Sequence, residues 1–182
     1  ETCTAEFFPG GVHHAYAVPA DTDLARLVHD ASMKRDTTHA NSEDVGKRFR
    51  SIVMKLLFCS LMTRPDLTIS VNLLSRVLAW PSPELLRRAE RVLIYASGTK
   101  SLKLKYHRAE NIEVQLHWAP RVAIEGATDS DFALAHSTSA YAFSLGNGGV
   151  TSWATKKQDT IALSPCEAEV VSGSHGACEA VS

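Results

Sequence analysis

The chain has 182 residues, 45% of them hydrophobic and 21% charged, and a formal net charge of −1. That length fits one domain, or one domain with a small appendage, of ordinary globular composition. The near-zero charge excludes a global positive field for nucleic acid, so any such contact must be local.

Cys3, Cys59, Cys166 and Cys178 show no C-x-x-C spacing, which points to free thiols rather than a disulfide framework or a zinc site. No apolar run reaches the roughly 18 residues of a membrane span, and no secretory signal opens the chain. An intracellular protein without a membrane partner is the expectation. The chain starts without Met and stops at Ser182 inside a helical pattern, which reads as a piece of something longer.

In chain order, residues 1–44 are mixed and poorly periodic. Pro9-Gly10-Gly11 and the polar run from Arg35 to Glu43 read as loop, and the region is expected to be linker-like and poorly structured. Leu24, Leu27 and Val28 suit one short helix. Residues 45–100 predict three helices. Phe49, Ile52, Val53, Leu56 and Leu57 fall at helical spacing. Thr63-Arg64-Pro65-Asp66 then opens a helix with the apolar stripe Ile69, Leu73, Leu74, Val77 and Leu78. Ser82-Pro83-Glu84 opens a third, with Ser82 as N-cap and Leu85, Leu86, Ala89, Val92, Leu93 and Ala96 facing inward. Arg87, Arg88 and Arg91 form its basic face, and Gly98 closes it.

From residue 101 the apolar period becomes two. Leu102, Leu104 and Tyr106, then Ile112, Val114, Leu116 and Trp118, alternate with polar residues. Further strands are predicted over residues 122–132, 141–145 and 150–155. Gly146-Asn147-Gly148-Gly149 is a hairpin turn between the last two. A final helix begins at Ser164, weakened by Gly173 and Gly176. The fold class is therefore α+β: a helical N-terminal part, then an antiparallel sheet with a capping helix over residues 101–182.

The chemistry-bearing residues cluster between Ala127 and Glu169. Asp129 and Asp131 are two apart on one strand and share a face. Glu167 and Glu169 stand in the first turn of the last helix. Such a layout can fold a strand carboxylate back against a helix carboxylate, as a divalent metal site needs. The pattern Ser164-x-x-Glu167 equally fits a capping box, and on the pattern alone capping is the favoured reading. Lys156 and Lys157 end a strand and suit either a phosphate backbone or a solvated turn. Trp153 reads as core.

These motifs, Thr128-Asp129-Ser130-Asp131-Phe132, Ser137-Thr138-Ser139-Ala140-Tyr141, Ser152-Trp153-Ala154-Thr155-Lys156-Lys157-Gln158 and Ala162-Leu163-Ser164-Pro165-Cys166-Glu167-Ala168-Glu169, resemble the ribonuclease H region of Ty1/copia-type retrotransposon Pol polyproteins. Thr63-Arg64-Pro65-Asp66 and Ser75-Arg76 resemble the end of the reverse transcriptase before it. The resemblance covers about residues 45–182. It implies a helical thumb- or connection-like segment over 45–100 and a partial ribonuclease H-like fold over 101–182. It also implies Mg²⁺-dependent hydrolysis of the RNA strand of RNA–DNA hybrids, with Asp129 and Glu167 as catalytic metal ligands. The remainder of the polyprotein would be a partner, and the locale a cytoplasmic particle and the nucleus. The chain departs from the family pattern at Met54, Ala140 and Pro165-Cys166. It contains no Y-x-D-D turn of a polymerase palm, and only two ligands of the site lie before Ser182. The isolated chain is expected to be inactive, and a non-catalytic scaffold or nucleic-acid-binding remnant is the alternative.

Overall fold

The computed structural model describes residues 7, 16–106, 124–133, 136–145 and 148–181. The chain divides into two compact units, Glu1–Lys103 and Leu104–Ser182.

The first unit is helical. Its elements among the described residues are α1 (Leu24–Lys34), a π-helical turn (Glu43–Lys47) running into α2 (Arg48–Met62), a 3-10 turn (Pro65–Leu67) running into α3 (Thr68–Ser75), and α4 (Pro83–Gly98). The core follows the expected spacing on α2, where Phe49, Ile52, Val53 and Leu56 are buried, and on α4, where Leu85, Ala89, Val92 and Leu93 are buried. Ser82 caps α4, its hydroxyl accepting from the Leu85 N–H at 3.2 Å, with Pro83 at the first helical position where no donor is missed.

Two expectations are corrected. Residues 16–44 are not merely linker-like, because α1 seats Leu24 and Val28 in the same core as α2 and α4. Asp21 and Asp23, just before α1, pair with Arg88 of α4, and Asp21 also pairs with Arg91. Ile69 was assigned inward but is 57% exposed, while Leu67, Val71 and Leu74 fill the core. Ile69 and Leu74 are five residues apart, about 140° around an α-helix, so a face centred on Leu67, Val71 and Leu74 leaves Ile69 on the solvent side.

The second unit is a three-stranded antiparallel sheet in the order β1 (Ile124–Asp131), β2 (Thr138–Leu145), β3 (Val150–Lys157), followed by α5 (Pro165–Val181). The α+β class and the helix lying on the sheet are thus as expected. Residues 102–106 form no strand. Lys105 and Tyr106 tie to the start of β3: the Gly149 N–H donates to the Lys105 carbonyl at 2.7 Å, and the Tyr106 hydroxyl to that of Val150 at 2.8 Å. One backbone bond does not make a ladder. The strand expected over 112–118 lies outside the described residues.

The sheet pairs Asp129 with Ala140 and Thr128 with Tyr141. The helix packs on it through a stripe of small buried residues, Ala168, Ser172 and Gly176, spaced four apart along one face. A Cβ at Gly176 would stand 2.2 Å from Thr128 Cγ2 and 3.6 Å from Phe143 Cζ. Glycine is required there by the closeness of helix to strand, not by its φ angle.

Candidate functional site

The motifs that stand apart in sequence meet in one buried polar knot. Gln158, at the end of β3, is 1% exposed. Its Nε2 donates to Ser139 Oγ on β2 and to the Ala168 carbonyl on α5, both at 2.9 Å. Its backbone N–H donates to the Ser137 carbonyl at 2.8 Å, and its carbonyl lies 3.0 Å from His136 Nδ1. Two donors spent inside the unit tie the last strand, the middle strand and the helix together. Sequence reasoning took Gln158 as the end of the Ser152–Gln158 motif and, with Lys156 and Lys157, as a phosphate contact or solvated turn; the fold instead buries it.

The strand carboxylates lie beside α5 without being covered by it. Ser172 Oγ donates to the Asp129 carbonyl at 2.6 Å, so the backbone of Asp129 is pinned to the helix. The Asp129 side chain alternates with that of Thr128, which meets Gly176. It therefore stands with Asp131 on the sheet face opposite the helix. Asp129 is exposed, and its Oδ1 accepts from the Ser130 N–H at 2.9 Å.

The helix carboxylate that the motif resemblance implicates is engaged locally. Glu167 Oε2 accepts from the Leu163 N–H at 2.7 Å, and the Glu167 N–H donates to Ser164 Oγ at 3.2 Å. The Ser164 bond is the N-cap half of the capping-box pattern, while the Glu167 carboxylate reaches one residue further back, to the N–H before the cap. Glu169 is exposed. It neighbours Ala168 and stands one turn before Ser172, on the flank of the stripe that touches the sheet, whereas helical period turns Glu167 away from that stripe.

Carboxylate oxygens suit Mg²⁺, so Asp129 with a helix glutamate has the right donor chemistry. Among the described residues, however, no three His, Cys, Asp or Glu side chains gather to hold a metal ion. A two-ion site needs more carboxylates than this.

The basic candidates divide. Thr138 pairs with both Asp131 and Lys157, which places Lys157 on the sheet face of the two aspartates. Lys156 falls on the other face and lies 3.2 Å from Asp159 Oδ2. Both lysines are exposed. Trp153, opposite Ala142, is half-buried on the aspartate face rather than part of the fully buried core. On α4, Arg88 and Arg91 are neutralised by Asp21 and Asp23, and Arg91 stacks over the Tyr16 ring at 4.2 Å. Only Arg87 of that basic face stays exposed.

No family model matches the chain, and no solved structure matches it. The chain is 35% identical over 137 residues to the Secreted RxLR effector protein 161 of Plasmopara viticola, a stretch covering 73% of this chain and 89% of that protein. It is 35% identical over 145 residues to a putative transposon Ty5-1 protein of Saccharomyces cerevisiae, covering 79% of this chain and 44% of that protein. It is 29% identical over 160 residues to the retrovirus-related Pol polyprotein from transposon TNT 1-94 of Nicotiana tabacum, covering 85% of this chain and 11% of the polyprotein. The chain thus spans less than half the length of these two transposon relatives. These sequence similarities show that the chain belongs to the Pol polyproteins of Ty1/copia-type retrotransposons.

Proposed function

We propose that the polyprotein to which this chain corresponds hydrolyses the RNA strand of RNA–DNA hybrids during reverse transcription, in a cytoplasmic particle and the nucleus. The chain itself would contribute part of the active centre and be inactive alone. The observation that supports this reading is the bond from Ser172 Oγ to the Asp129 carbonyl, which fixes the backbone of the strand motif to the helix that carries Glu167 and Glu169.

Asp129 would supply the strand ligand for Mg²⁺. Glu167 is the helix ligand by motif position, yet its carboxylate already accepts from the Leu163 N–H. That bond favours Glu169 as the ligand in its place. Bound Mg²⁺ would activate water and neutralise charge at the phosphate. Lys157, on the aspartate face, would steady the phosphate backbone, while hybrid geometry would be read through groove shape and 2′-hydroxyl contacts.

The test is hybrid cleavage with Mg²⁺ by this chain and by a longer polyprotein segment that includes it, each with Asp129→Asn, Glu167→Gln and Glu169→Gln variants. The expected result is cutting by the longer segment alone. It should be lost with Asp129→Asn and Glu169→Gln and retained with Glu167→Gln. Loss with Glu167→Gln and not Glu169→Gln would return the helix role to Glu167. A folded longer segment that never cuts would sink the catalytic reading.

A second reading is a non-catalytic scaffold or nucleic-acid-binding module. One observation favours it: the relative matched over 89% of its length is named as an effector protein.

A further inference from the structure

We infer that the outer face of α2 docks the helical unit onto the preceding, polymerase part of the same polyprotein. The inference rests on the chain's place in the polyprotein and not on hydrolysis, so it and the ribonuclease reading fail separately.

The α2 helix is apolar on two sides. Phe49, Ile52, Val53 and Leu56 fill the core of the helical unit. Met54, Phe58, Leu61 and Met62 recur at helical spacing on the opposite side, and they are 52–66% exposed. Single exposed apolar side chains are ordinary, whereas several on one helix face form a patch that marks an interaction site. A helix with apolar residues all round belongs inside a larger body.

Charge and area select the occupant. From Ser51 to Met62 the only charged residue is Lys55, and its Nζ stands 4.8 Å from the centre of the Phe7 ring. A face with so little charge offers nothing to a phosphate backbone. It suits the apolar core of a permanent protein interface. About 100 Å² of each of the four side chains lies open, so two copies meeting here would bury roughly 800 Å², below the about 1,200–2,000 Å² of a stable interface between separate chains. A segment of the same chain needs less. Interfaces between domains of one chain begin at roughly 600 Å², and the link holds the two parts at high effective concentration. The transposon relatives extend well beyond the stretch they share with this chain. The helical unit resembles the end of a reverse transcriptase, which makes the polymerase part its neighbour along the polyprotein, and consecutive parts of a chain usually pack together.

The test is cysteine footprinting of this chain and of a longer polyprotein segment that adds the preceding polymerase part. In a Cys59→Ser background, Phe58→Cys and Leu61→Cys place thiols in the face. Met33→Cys places one at an exposed apolar position of α1 outside it. Alkylation rates are read peptide by peptide, sedimentation gives the oligomeric state of both proteins, and melting curves establish that each variant folds. In this chain all three thiols should react as open ones. In the longer segment Phe58→Cys and Leu61→Cys should react at least about tenfold more slowly, because a covered thiol is reached only through opening, and Met33→Cys should be unchanged. Adding Phe58→Asp to Leu61→Cys in the longer segment should restore the open rate, since docking would bury an unpaired carboxylate. Equal rates at the face in the two proteins would overturn the inference. Slow reaction that accompanies dimerisation of either protein would overturn it in favour of a second copy.

Discussion

Arg64 holds Asp66 through two parallel bonds, Nε to Oδ1 at 2.9 Å and Nη2 to Oδ2 at 2.8 Å. The same guanidinium closes the far end of α4. Its Nη1 donates to the carbonyls of Ala96 at 3.4 Å and Thr99 at 3.2 Å, and its Nη2 to Thr99 Oγ1 at 2.7 Å. Asp66 Oδ2 in turn accepts from the Tyr95 hydroxyl at 3.0 Å. The Thr-Arg-Pro-Asp motif is therefore a clamp: a planar cation satisfies the open carbonyls of one helix while a carboxylate fixes its plane. Lysine has no such fork, so Arg64→Lys should destabilise the helical unit nearly as much as Arg64→Ala. A loss of about 2–3 kcal/mol is expected for the alanine variant, the range of bonds to charged groups, and urea unfolding measures it.

The clamp also makes stability depend on acid. Burial raises the Asp66 carboxyl, but the Arg64 bonds and charge and the Tyr95 hydroxyl outweigh it and hold Asp66 below its ordinary value of 3.8. A depressed folded value stabilises the protein at pH above the unfolded value and loses that contribution as pH falls through the folded one. The melting temperature should therefore drop as pH is lowered below about 4. Asp66→Asn should start lower at pH 5 and lack this part of the fall, so the two curves converge in acid. Parallel curves would remove Asp66 from the account.

Gln158 tests the polar knot of the second unit. Gln158→Glu replaces two buried donors with a carboxylate facing Ser139 Oγ and the Ala168 carbonyl. The cost should exceed about 3 kcal/mol at neutral pH, since an unpaired buried charge is worse than a missing bond, and should shrink in acid as the carboxyl protonates. Gln158→Met should cost about 1–3 kcal/mol, the penalty of orphaned partners alone. Thermal melts at pH 5 and 8 separate the two.

The two glycines of α5 should respond with opposite signs. Nothing lies within 4 Å of a Cβ at Gly173, so Gly173→Ala should stabilise by up to about 1 kcal/mol through helix propensity. At Gly176 the added methyl meets Thr128 Cγ2 at 2.2 Å, and forcing the helix off the sheet should cost about 1–3 kcal/mol. Equal effects of the two substitutions would contradict the observed packing.

The capping box yields a prediction that bears on the site. Ser164→Ala should cost about 1 kcal/mol. Glu167→Gln should cost little, because an amide oxygen can still accept from the Leu163 N–H. Loss of hybrid cleavage in a stably folded Glu167→Gln variant would then report on charge at the metal and not on the helix start.

Much was legible in the sequence because it depends on neighbours along the chain. The apolar spacings of α2 and α4, the Ser82 and Ser164 caps and the alternation of β2 and β3 are local patterns, and each produced its element. The motif order from Asp129 to Glu169 likewise pointed to the family. Where sequence reading fell short, distant residues decided. Asp21 and Asp23 look like loop until Arg88 and Arg91 arrive from α4. Ile69 looks inward until packing centres the buried face of α3 on Leu67, Val71 and Leu74. Gln158 looks like a surface residue until Ser139 and Ala168 close around its amide. Glu167 carried two readings in one four-residue pattern, and the Leu163 N–H takes its carboxylate in the fold. Periodicity specifies which face of an element is apolar. Which polar groups are desolvated, and by whom they are satisfied, follows only when the elements pack.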